Sequence, residues 1–153
     1  MPEASADKVV KHLSKVTYPK GYHILEAGKT ETNIFFIEKG IARAYIPVDG
    51  KEVTMELMEN SVLYLLKRKD LHELFKEDIH IANWGRKFAE SEFLQTEERL
   101  ISLLFTTASE RYMKLIQNNP ELLQRIPLEC LASYLGITPV SLSRIRAKLK
   151  RVL

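Results

Sequence analysis

The side chains with the clearest chemical role in this sequence are cationic and hydroxyl groups near its end. Between Pro127 and Leu153 five basic residues stand against one acid: Arg144, Arg146, Lys148, Lys150 and Arg151 against Glu129. The segment has a net charge of +4, and because the whole chain carries +3, the remainder carries −1. Basic residues concentrated in one segment are typical of proteins that neutralise nucleic-acid phosphates. The segment therefore indicates DNA as a partner.

Two short helices joined by a tight turn are predicted to position these groups. Gly136 suits the left-handed conformation that ends a first helix, and Ile137 fills the turn. Thr138 can cap the next helix, and Pro139 suits its first position because proline has no N–H to leave unpaired. Apolar residues at helical spacing give each helix one buried face: Leu128, Leu131, Ala132 and Leu135 on the first, and Leu142, Ile145 and Leu149 on the second. This pattern is typical of a DNA-binding helix-turn-helix.

The helix-turn-helix interpretation divides the outward residues of the second helix into two groups. Residues predicted to face bases in the major groove are Val140, Ser141, Ser143 and Arg144, with Val140 suited to a thymine methyl group. Residues predicted to contact phosphates are Thr138, Arg146, Lys148 and Lys150. A two-helix corner that binds no nucleic acid is the alternative interpretation.

Motifs for catalysis or metal binding are absent from the sequence. The single cysteine, Cys130, excludes an intramolecular disulfide and any multi-cysteine metal site. The four histidines, His12, His23, His72 and His80, share no metal-ligand spacing, and no phosphate-binding glycine loop or nucleophile motif occurs. We therefore expect a protein that is not an enzyme and holds no metal. No apolar signal core or membrane-spanning run is present, which predicts a cytoplasmic protein without membrane contact.

Short strands separated by glycine turns are predicted in the first part of the chain, after a polar helix over 1–15. Strand-like runs occupy 16–18, 22–26, 33–38 and 41–47, with turn signals at 19–21, 27–29 and 39–40. The Asp49-Gly50 pair is a hairpin signal before a further strand. Short strands at this spacing favour a β-sandwich or barrel.

This order of motifs resembles the Crp/Fnr-type transcription regulators. The resemblance rests on Tyr18-Pro19-Lys20-Gly21, Leu25-Glu26-Ala27-Gly28, Ile34-Phe35-Phe36-Ile37-Glu38-Lys39-Gly40 and Asp49-Gly50-Lys51-Glu52-Val53-Thr54. It implies an α+β chain with a cyclic-nucleotide-binding-type jelly roll (a double-stranded β-helix) over 1–78, a dimerisation helix over 79–105 and a helix-turn-helix domain over 106–153, without a C-terminal wing.

The same resemblance implies a function and partners. The expected function is sequence-specific DNA binding by an effector-responsive homodimer that regulates transcription. The implied partners are double-stranded DNA, a second copy of the chain and RNA polymerase. The family also implies that Arg144 reads guanine through a two-pronged hydrogen bond to O6 and N7. A small-molecule-binding or protein-interaction module without DNA binding is the alternative.

The sequence departs from the family at Thr54–Met55. The family continues there with further strands and a glycine–acid–arginine cassette for phosphate, whereas this chain passes directly to a strand-like run over 55–66. The roughly 50 residues of the predicted roll are too few for eight strands of ~5–6 residues with turns. We therefore expect roughly 20–30 residues to be missing at this point, with a genuine deletion that leaves open sheet edges as the alternative. No cofactor is identified, and a cyclic nucleotide or other small-molecule effector is a hypothesis without phosphate donors in the sequence.

A long helix without proline is predicted from Asp78 to about Phe105, after a shorter helix that Asp70 could cap. About 27 residues span about 40 Å at 1.5 Å per residue, more than a small domain needs for itself. Apolar residues at helical spacing are predicted to form the dimer contact: Ile81, Trp84, Phe88, Leu94 and Ile101. A helix packed only on its own roll is the alternative. Gly85 either permits close helix approach or weakens the helix locally.

Overall fold

The computed structural model describes residues 1–47 and 53–149. Within these ranges the chain forms seven helices and six strands. The helices are α1 (Glu3–Lys11), α2 (Arg68–Glu77), α3 (Ile79–Phe105), α4 (Ala108–Asn118), α5 (Leu122–Arg125), α6 (Leu128–Tyr134) and α7 (Pro139–Leu149). The strands are β1 (Ser14–Tyr18), β2 (His23–Leu25), β3 (Asn33–Lys39), β4 (Ala42–Tyr45), β5 (Thr54–Leu57) and β6 (Ser61–Lys67). The predicted Asp49-Gly50 turn and the predicted phosphate contact Lys150 lie outside the described residues.

The chain divides into two compact units, Met1–Ala89 and Glu90–Leu153. The first unit holds all six strands, and the second holds α4 to α7. α3 contributes its first part to one unit and its second part to the other. Its observed bounds agree with the predicted helix from Asp78 to Phe105 to within one residue.

Two antiparallel three-stranded sheets form the first unit, with the strand orders β1-β6-β3 and β2-β5-β4. Ile24, Leu57 and Leu63 form a buried cluster to which strands of both sheets contribute. The two sheets therefore pack face to face, and the burial of these apolar side chains is the main term that holds them together.

Strand β5 runs through Thr54 and Met55 without a break. Tyr45 pairs with Thr54, and Ala44 pairs with Met55. The expectation that residues are missing between Thr54 and Met55 stays a prediction. The two sheets have three strands each, and β1, β3, β2 and β4 are all edge strands.

Asp78 joins α1 to the start of α3. Its Oδ2 atom accepts hydrogen bonds from the Lys8 ammonium at 2.8 Å and from the Ser5 hydroxyl at 3.0 Å. Its Oδ1 atom accepts from the backbone N–H of His80 at 3.0 Å, which is one of the first N–H groups of α3 and has no partner inside the helix. The Lys8 ammonium is the main cause that lowers the pKa of Asp78 to about 2, and the Ser5 and His80 bonds act in the same direction.

The start of α2 differs from the prediction. The helix begins at Arg68, and Lys67 has the extended backbone of the N-cap position. The predicted cap Asp70 is therefore wrong. Asp70 lies in the first turn instead, where a carboxylate interacts favourably with the helix dipole.

Gly85 lets α2 pack closely against α3. A Cβ atom at Gly85 would lie 2.5 Å from Cζ of Phe75 and 2.8 Å from its Cε1, well inside van der Waals contact. Gly85 was predicted either to permit close helix approach or to weaken the helix locally. The structure supports the close approach, and α3 continues through Gly85 without interruption.

The first part of α3 packs within its own unit. Ile81 is fully buried with Val9, Leu66, Leu71 and Leu74, and Trp84 packs against the same cluster. The prediction that Ile81 contacts a second chain is wrong, because it has no surface left for one. None of the helices in the described ranges is long and apolar enough to cross a membrane.

Candidate nucleic-acid interface

The pair of helices α6 and α7 has a buried core within the second unit. Its buried members are Leu131, Ala132, Leu135 and Leu142, together with Tyr112 and Leu115 of α4. Leu128, Ile145 and Leu149 are partly buried against this cluster. The apolar faces predicted for both helices are confirmed.

Gly136 ends α6 in the predicted left-handed conformation, with a φ of 70°. The N–H of Gly136 donates to the carbonyl of Ser133 at 3.0 Å, and the N–H of Ile137 donates to the carbonyl of Ala132 at 3.0 Å. These two bonds form the Schellman motif that typically accompanies a left-handed glycine at a helix C-terminus. The chain therefore reverses sharply between the two helices.

Thr138 starts α7 as predicted. Its Oγ1 atom accepts a hydrogen bond from the backbone N–H of Ser141 at 3.2 Å, and Pro139 is the first helical residue. The Ser141 hydroxyl lies 2.9 Å from the same Oγ1 atom. Ser141 is half-buried. Its hydroxyl is within hydrogen-bond distance of the capping Thr138 and is therefore only partly available to an external partner.

The other predicted base-facing residues lie on the outer face of α7. Val140 is 61% exposed, and Ser143 and Arg144 are also exposed. Leu142, between them in the sequence, is fully buried. An exposed apolar side chain, a hydroxyl and a guanidinium therefore share the side of α7 that points away from the core, within reach of an external partner.

The predicted phosphate contacts are distributed along α7 and its start. Thr138 and Lys148 are exposed, and Arg146 is half-buried. Arg146 and Lys148 lie in the last turn of the helix, where positive charge also stabilises the helix dipole.

Two arginines that sequence reasoning did not single out contact the end of α6. Arg99 donates to the carbonyl of Tyr134 at 2.9 Å, and its guanidinium lies 3.9 Å from the centre of the Tyr134 ring. Arg111 donates to the carbonyl of Leu135 at 3.0 and 3.1 Å and to the carbonyl of Thr106. The contacts with α6 join residues 24 to 35 positions apart, and no local pattern predicts them.

A capping box at the start of α4 was missed, although the sequence contains its signal. Thr107 caps the helix, and its hydroxyl accepts from the N–H of Glu110 while the Glu110 carboxylate accepts from the N–H of Thr107. These bonds to Thr107 lower the pKa of Glu110. The Thr107-Ala108-Ser109-Glu110 sequence has the spacing of this motif.

The second part of α3 exposes one apolar face, which we call the α3 stripe. Its members are between 49% and 80% exposed: Phe93, Leu94, Leu100, Ile101, Leu104 and Phe105. Leu94 and Ile101 belong to the predicted dimer contact, and Phe88, another predicted member, is exposed as well. Trp84, the remaining predicted member, is partly buried against the core of the first unit. Large apolar side chains exposed together typically mark an interaction surface.

Metal binding has no candidate in the part of the chain that the structure describes. Across residues 1–47 and 53–149, no three His, Cys, Asp or Glu side chains are grouped so as to hold an ion. The two arginines at the end of α6 bind carbonyl oxygens.

Comparison with known proteins gives matches only among solved structures. No protein-family model matches the chain, and no curated protein does. FixK2 from Bradyrhizobium japonicum matches with a TM-score of 0.76 and 18% identity, covering 91% of this chain and 85% of its own. A transcriptional regulator of the Crp/Fnr family from Eubacterium rectale has a TM-score of 0.76 and 14% identity, covering 98% of this chain and 84% of its own. The c-di-GMP-responsive global regulator CLP from Xanthomonas campestris has a TM-score of 0.73 and 16% identity, covering 98% and 92%.

These matches establish the fold. The chain has the Crp/Fnr regulator fold over nearly its whole length, which confirms the resemblance predicted from its motifs. Two of the matched proteins are regulators, one a transcriptional regulator of the Crp/Fnr family and the other the global regulator CLP.

Proposed function

We propose that this protein is a homodimeric, sequence-specific DNA-binding transcription regulator of the Crp/Fnr type. In this proposal residues 1–78 are a cyclic-nucleotide-binding-like sensor roll from which residues between Thr54 and Met55 are missing. Residues 79–105 are the dimerisation helix, and 106–153 are a helix-turn-helix domain. The observation that carries it is the two-sided α7: Leu142 is fully buried while Val140, Ser143 and Arg144 face outward. A helix that only packs within its own domain does not require an exposed apolar group, hydroxyl and guanidinium next to concentrated positive charge.

Arg144 is the proposed base-reading residue. Its guanidinium has two parallel N–H donors at the spacing of guanine O6 and N7, so it can discriminate guanine from the other bases. The Ser143 hydroxyl can form a hydrogen bond with either base of a pair, and Val140 can contact the methyl group of thymine. The hydroxyl of Ser141 is shared with Thr138, which supports a smaller role for Ser141 in base contacts.

Thr138, Arg146 and Lys148 are the proposed phosphate contacts, and Lys150 extends this group. Phosphate contacts fix the position of α7 on the duplex without reading sequence. They also release bound cations, so each one steepens the dependence of affinity on salt.

The α3 stripe is the proposed dimer contact. Two copies joined along Leu94, Ile101 and Leu104 would remove these exposed side chains from water at about 25 cal/mol per Å². A two-fold dimer would carry two α7 helices that bind half-sites one DNA turn apart, about 34–36 Å. DNA selected by the protein should therefore be palindromic.

An effector and RNA polymerase complete the proposal. The sensor unit supports a small-molecule ligand through its likeness to the family fold, and a cyclic nucleotide is one candidate. Thermal unfolding with added cyclic nucleotides tests this candidate, because a ligand at about 100 times its Kd should stabilise the folded state by about 2.7 kcal/mol. No shift in the unfolding temperature would argue against that ligand class.

The test of DNA binding is selection of bound sequences from random DNA, followed by affinity measurements on the selected site and on random duplexes. We expect a palindromic site, and Arg144→Ala should lower discrimination between the two DNAs by about 1–3 kcal/mol. The matched control is Lys148→Ala, which should weaken both equally and reduce the salt slope by about 1. An equal loss on both DNAs for Arg144→Ala would reassign Arg144 to the phosphate group. Failure to enrich any sequence would favour a module whose α7 docks a protein.

The dimer is tested by sedimentation of the wild type and of Ile101→Asp and Leu104→Asp. A carboxylate inside an apolar contact has no partner there, so both variants should be monomers with weakened DNA binding. Gln95→Asp adds the same charge to an exposed position of α3 outside the stripe, and this control should remain dimeric. A wild type that sediments as a monomer at all concentrations would refute this part of the proposal.

A further inference from the structure

We propose that Arg99 and Arg111 are positioning residues that fix the spacing between the two recognition helices. They bind the end of α6, immediately before the turn that leads into α7. Arg99 belongs to the second part of α3, and Arg111 contacts the residue that follows α3. The inference rests on the proposed function, since it assigns these residues a role in how a dimer measures its DNA site.

The carbonyl groups at the end of α6 show why two arginines are placed there. A helix leaves its last four carbonyls without intrahelical partners. The Schellman bonds satisfy Ala132 and Ser133, which leaves Tyr134 and Leu135. Arg99 binds the first of these carbonyls and Arg111 the second. The C-terminus of α6 is thus completed by side chains that come from outside the helix-turn-helix.

Arg99 ties the body of α3 to α6. Its guanidinium donates to the Tyr134 carbonyl at 2.9 Å and lies 3.9 Å from the centre of the ring of the same residue. A planar guanidinium held by a carbonyl and an aromatic face has little freedom to rotate. The contact therefore fixes direction as well as distance.

Arg111 ties the end of α3 to the end of α6. Its one guanidinium donates to the carbonyl of Thr106, just after α3, and to the carbonyl of Leu135, at the C-cap of α6. Positive charge at the C-termini of two helices is favourable for both dipoles. Because Arg111 lies in the first turn of α4, all three helices meet at this one side chain.

Two further contacts reinforce the same junction. The Lys114 ammonium of α4 lies 2.6 Å from the Glu98 carboxylate of α3. A Cβ atom at Gly136 would lie 3.4 Å from Cδ2 of Leu103, so the turn itself packs on α3. The α6 end, the turn and the second part of α3 are thereby held as one body.

The functional consequence is geometric. Arg111 binds the carbonyl of Leu135, and the first residue of α7, Pro139, follows directly after the short turn, so the direction of α7 follows from the junction. In a dimer formed along the α3 stripe, a fixed angle between α3 and α7 fixes the separation of the two α7 helices. A shift of one base pair moves a half-site by about 3.4 Å along the duplex axis and rotates it around the axis, and a rigid junction cannot follow.

The experiment measures spacing preference rather than affinity alone. The full-length protein is titrated with the selected palindrome and with duplexes whose half-sites are one base pair closer or farther apart. We expect Arg99→Met and Arg111→Met to reduce the preference for the selected spacing by about 3–10-fold, the order expected for a partly exposed charged hydrogen bond. Arg99→Lys should give an intermediate preference, because lysine keeps the charge but cannot form the stacked fork. Lys87→Met removes one charge from α3 outside the junction and should keep the wild-type preference.

The preference is a ratio within one variant, so a smaller fraction of folded protein cancels from it. Wild-type preference in both Arg99→Met and Arg111→Met would overturn the inference and leave the proposed function intact. An equal loss of affinity at every spacing would also overturn it, since that is the signature of a general structural role. A wild type that selects no DNA sequence would instead overturn the proposed function and this inference together.

Discussion

Gly40 of the first unit should not tolerate even the smallest side chain. Its φ is 129°, and a Cβ atom there would lie 2.1 Å from Oγ, 2.5 Å from Cβ and 3.1 Å from Cα of Ser61. Ser61 is fully buried and its hydroxyl donates to the carbonyl of Glu59 at 2.8 Å. The neighbour is therefore a strand of the sheet, and it cannot move aside as a flexible side chain could.

The size of the effect follows from two terms. A residue with a Cβ in a left-handed conformation costs about 1–2 kcal/mol, and overpacking against a buried neighbour costs about 1–3 kcal/mol more. Gly40→Ala should therefore destabilise by about 2–5 kcal/mol. Gly21 is the matched control, because its φ is 83° and a Cβ atom there would meet no other atom within 4 Å. Gly21→Ala should cost only about 1 kcal/mol, because the strain is partly offset by reduced freedom of the unfolded chain.

The assay is urea unfolding followed by the fluorescence of Trp84. Trp84 is the single tryptophan of the chain and packs against the core of the first unit, so it reports on that unit. A double-mutant cycle with Ser61→Gly isolates the contact, since removing the Ser61 Cβ and Oγ should recover part of the Gly40→Ala loss. Equal destabilisation by Gly40→Ala and Gly21→Ala, or no recovery in the double variant, would refute the reasoning.

Three further outcomes are expected. Because the pKa of Asp78 is lowered to about 2, its contribution to stability is present above about pH 4 and is lost as the pH falls toward 2. Urea midpoints measured between about pH 5 and pH 2 should therefore fall more steeply for the wild type than for Asp78→Asn. Parallel curves for the two proteins would contradict this. Gly85→Ala should be neutral to destabilising by about 2 kcal/mol, since the clash with Phe75 (about 1–3 kcal/mol) outweighs the gain in helix propensity (about 1 kcal/mol); a more stable variant would show that Phe75 moves freely. Leu142→Ala should lower stability by about 2–5 kcal/mol in a transition followed by circular dichroism, and an unchanged transition would mean that Leu142 does not hold the α6–α7 core.

Local signals predicted much of this fold correctly. The long helix needed only an unbroken run without proline, and its observed bounds are Ile79–Phe105. The turn before α7 was predicted residue by residue. Each of its positions 136, 138 and 139 has a backbone requirement that few residues other than Gly136, Thr138 and Pro139 meet. The Thr107–Glu110 capping box carried an equally local signal and was overlooked.

The remaining features depend on which distant residues meet. Helical spacing places Ile81 and Trp84 on a face of α3, but the same apolar face can bury against its own chain or against a second one. Arg99 and Arg111 look like ordinary surface arginines, because their partners are carbonyl groups 35 and 24 residues away. Asp70 resembled a cap, whereas the extended backbone at Lys67 starts α2 earlier.

The buried clusters of the two units share no residue: one consists of side chains from Tyr112 to Leu142, and the others lie between Val9 and Ile81. The α3 stripe lies outside all of them, as does Arg144. In the proposed dimer, a chain that has lost Arg144 should therefore fold and still pair with an intact copy, giving mixed dimers with one functional copy of the proposed recognition helix. In a cell that expresses both alleles at equal levels, random pairing leaves only about a quarter of the dimers fully intact. Substitutions on the outer face of α7 should consequently be dominant in genetic tests, whereas substitutions that prevent pairing should be recessive.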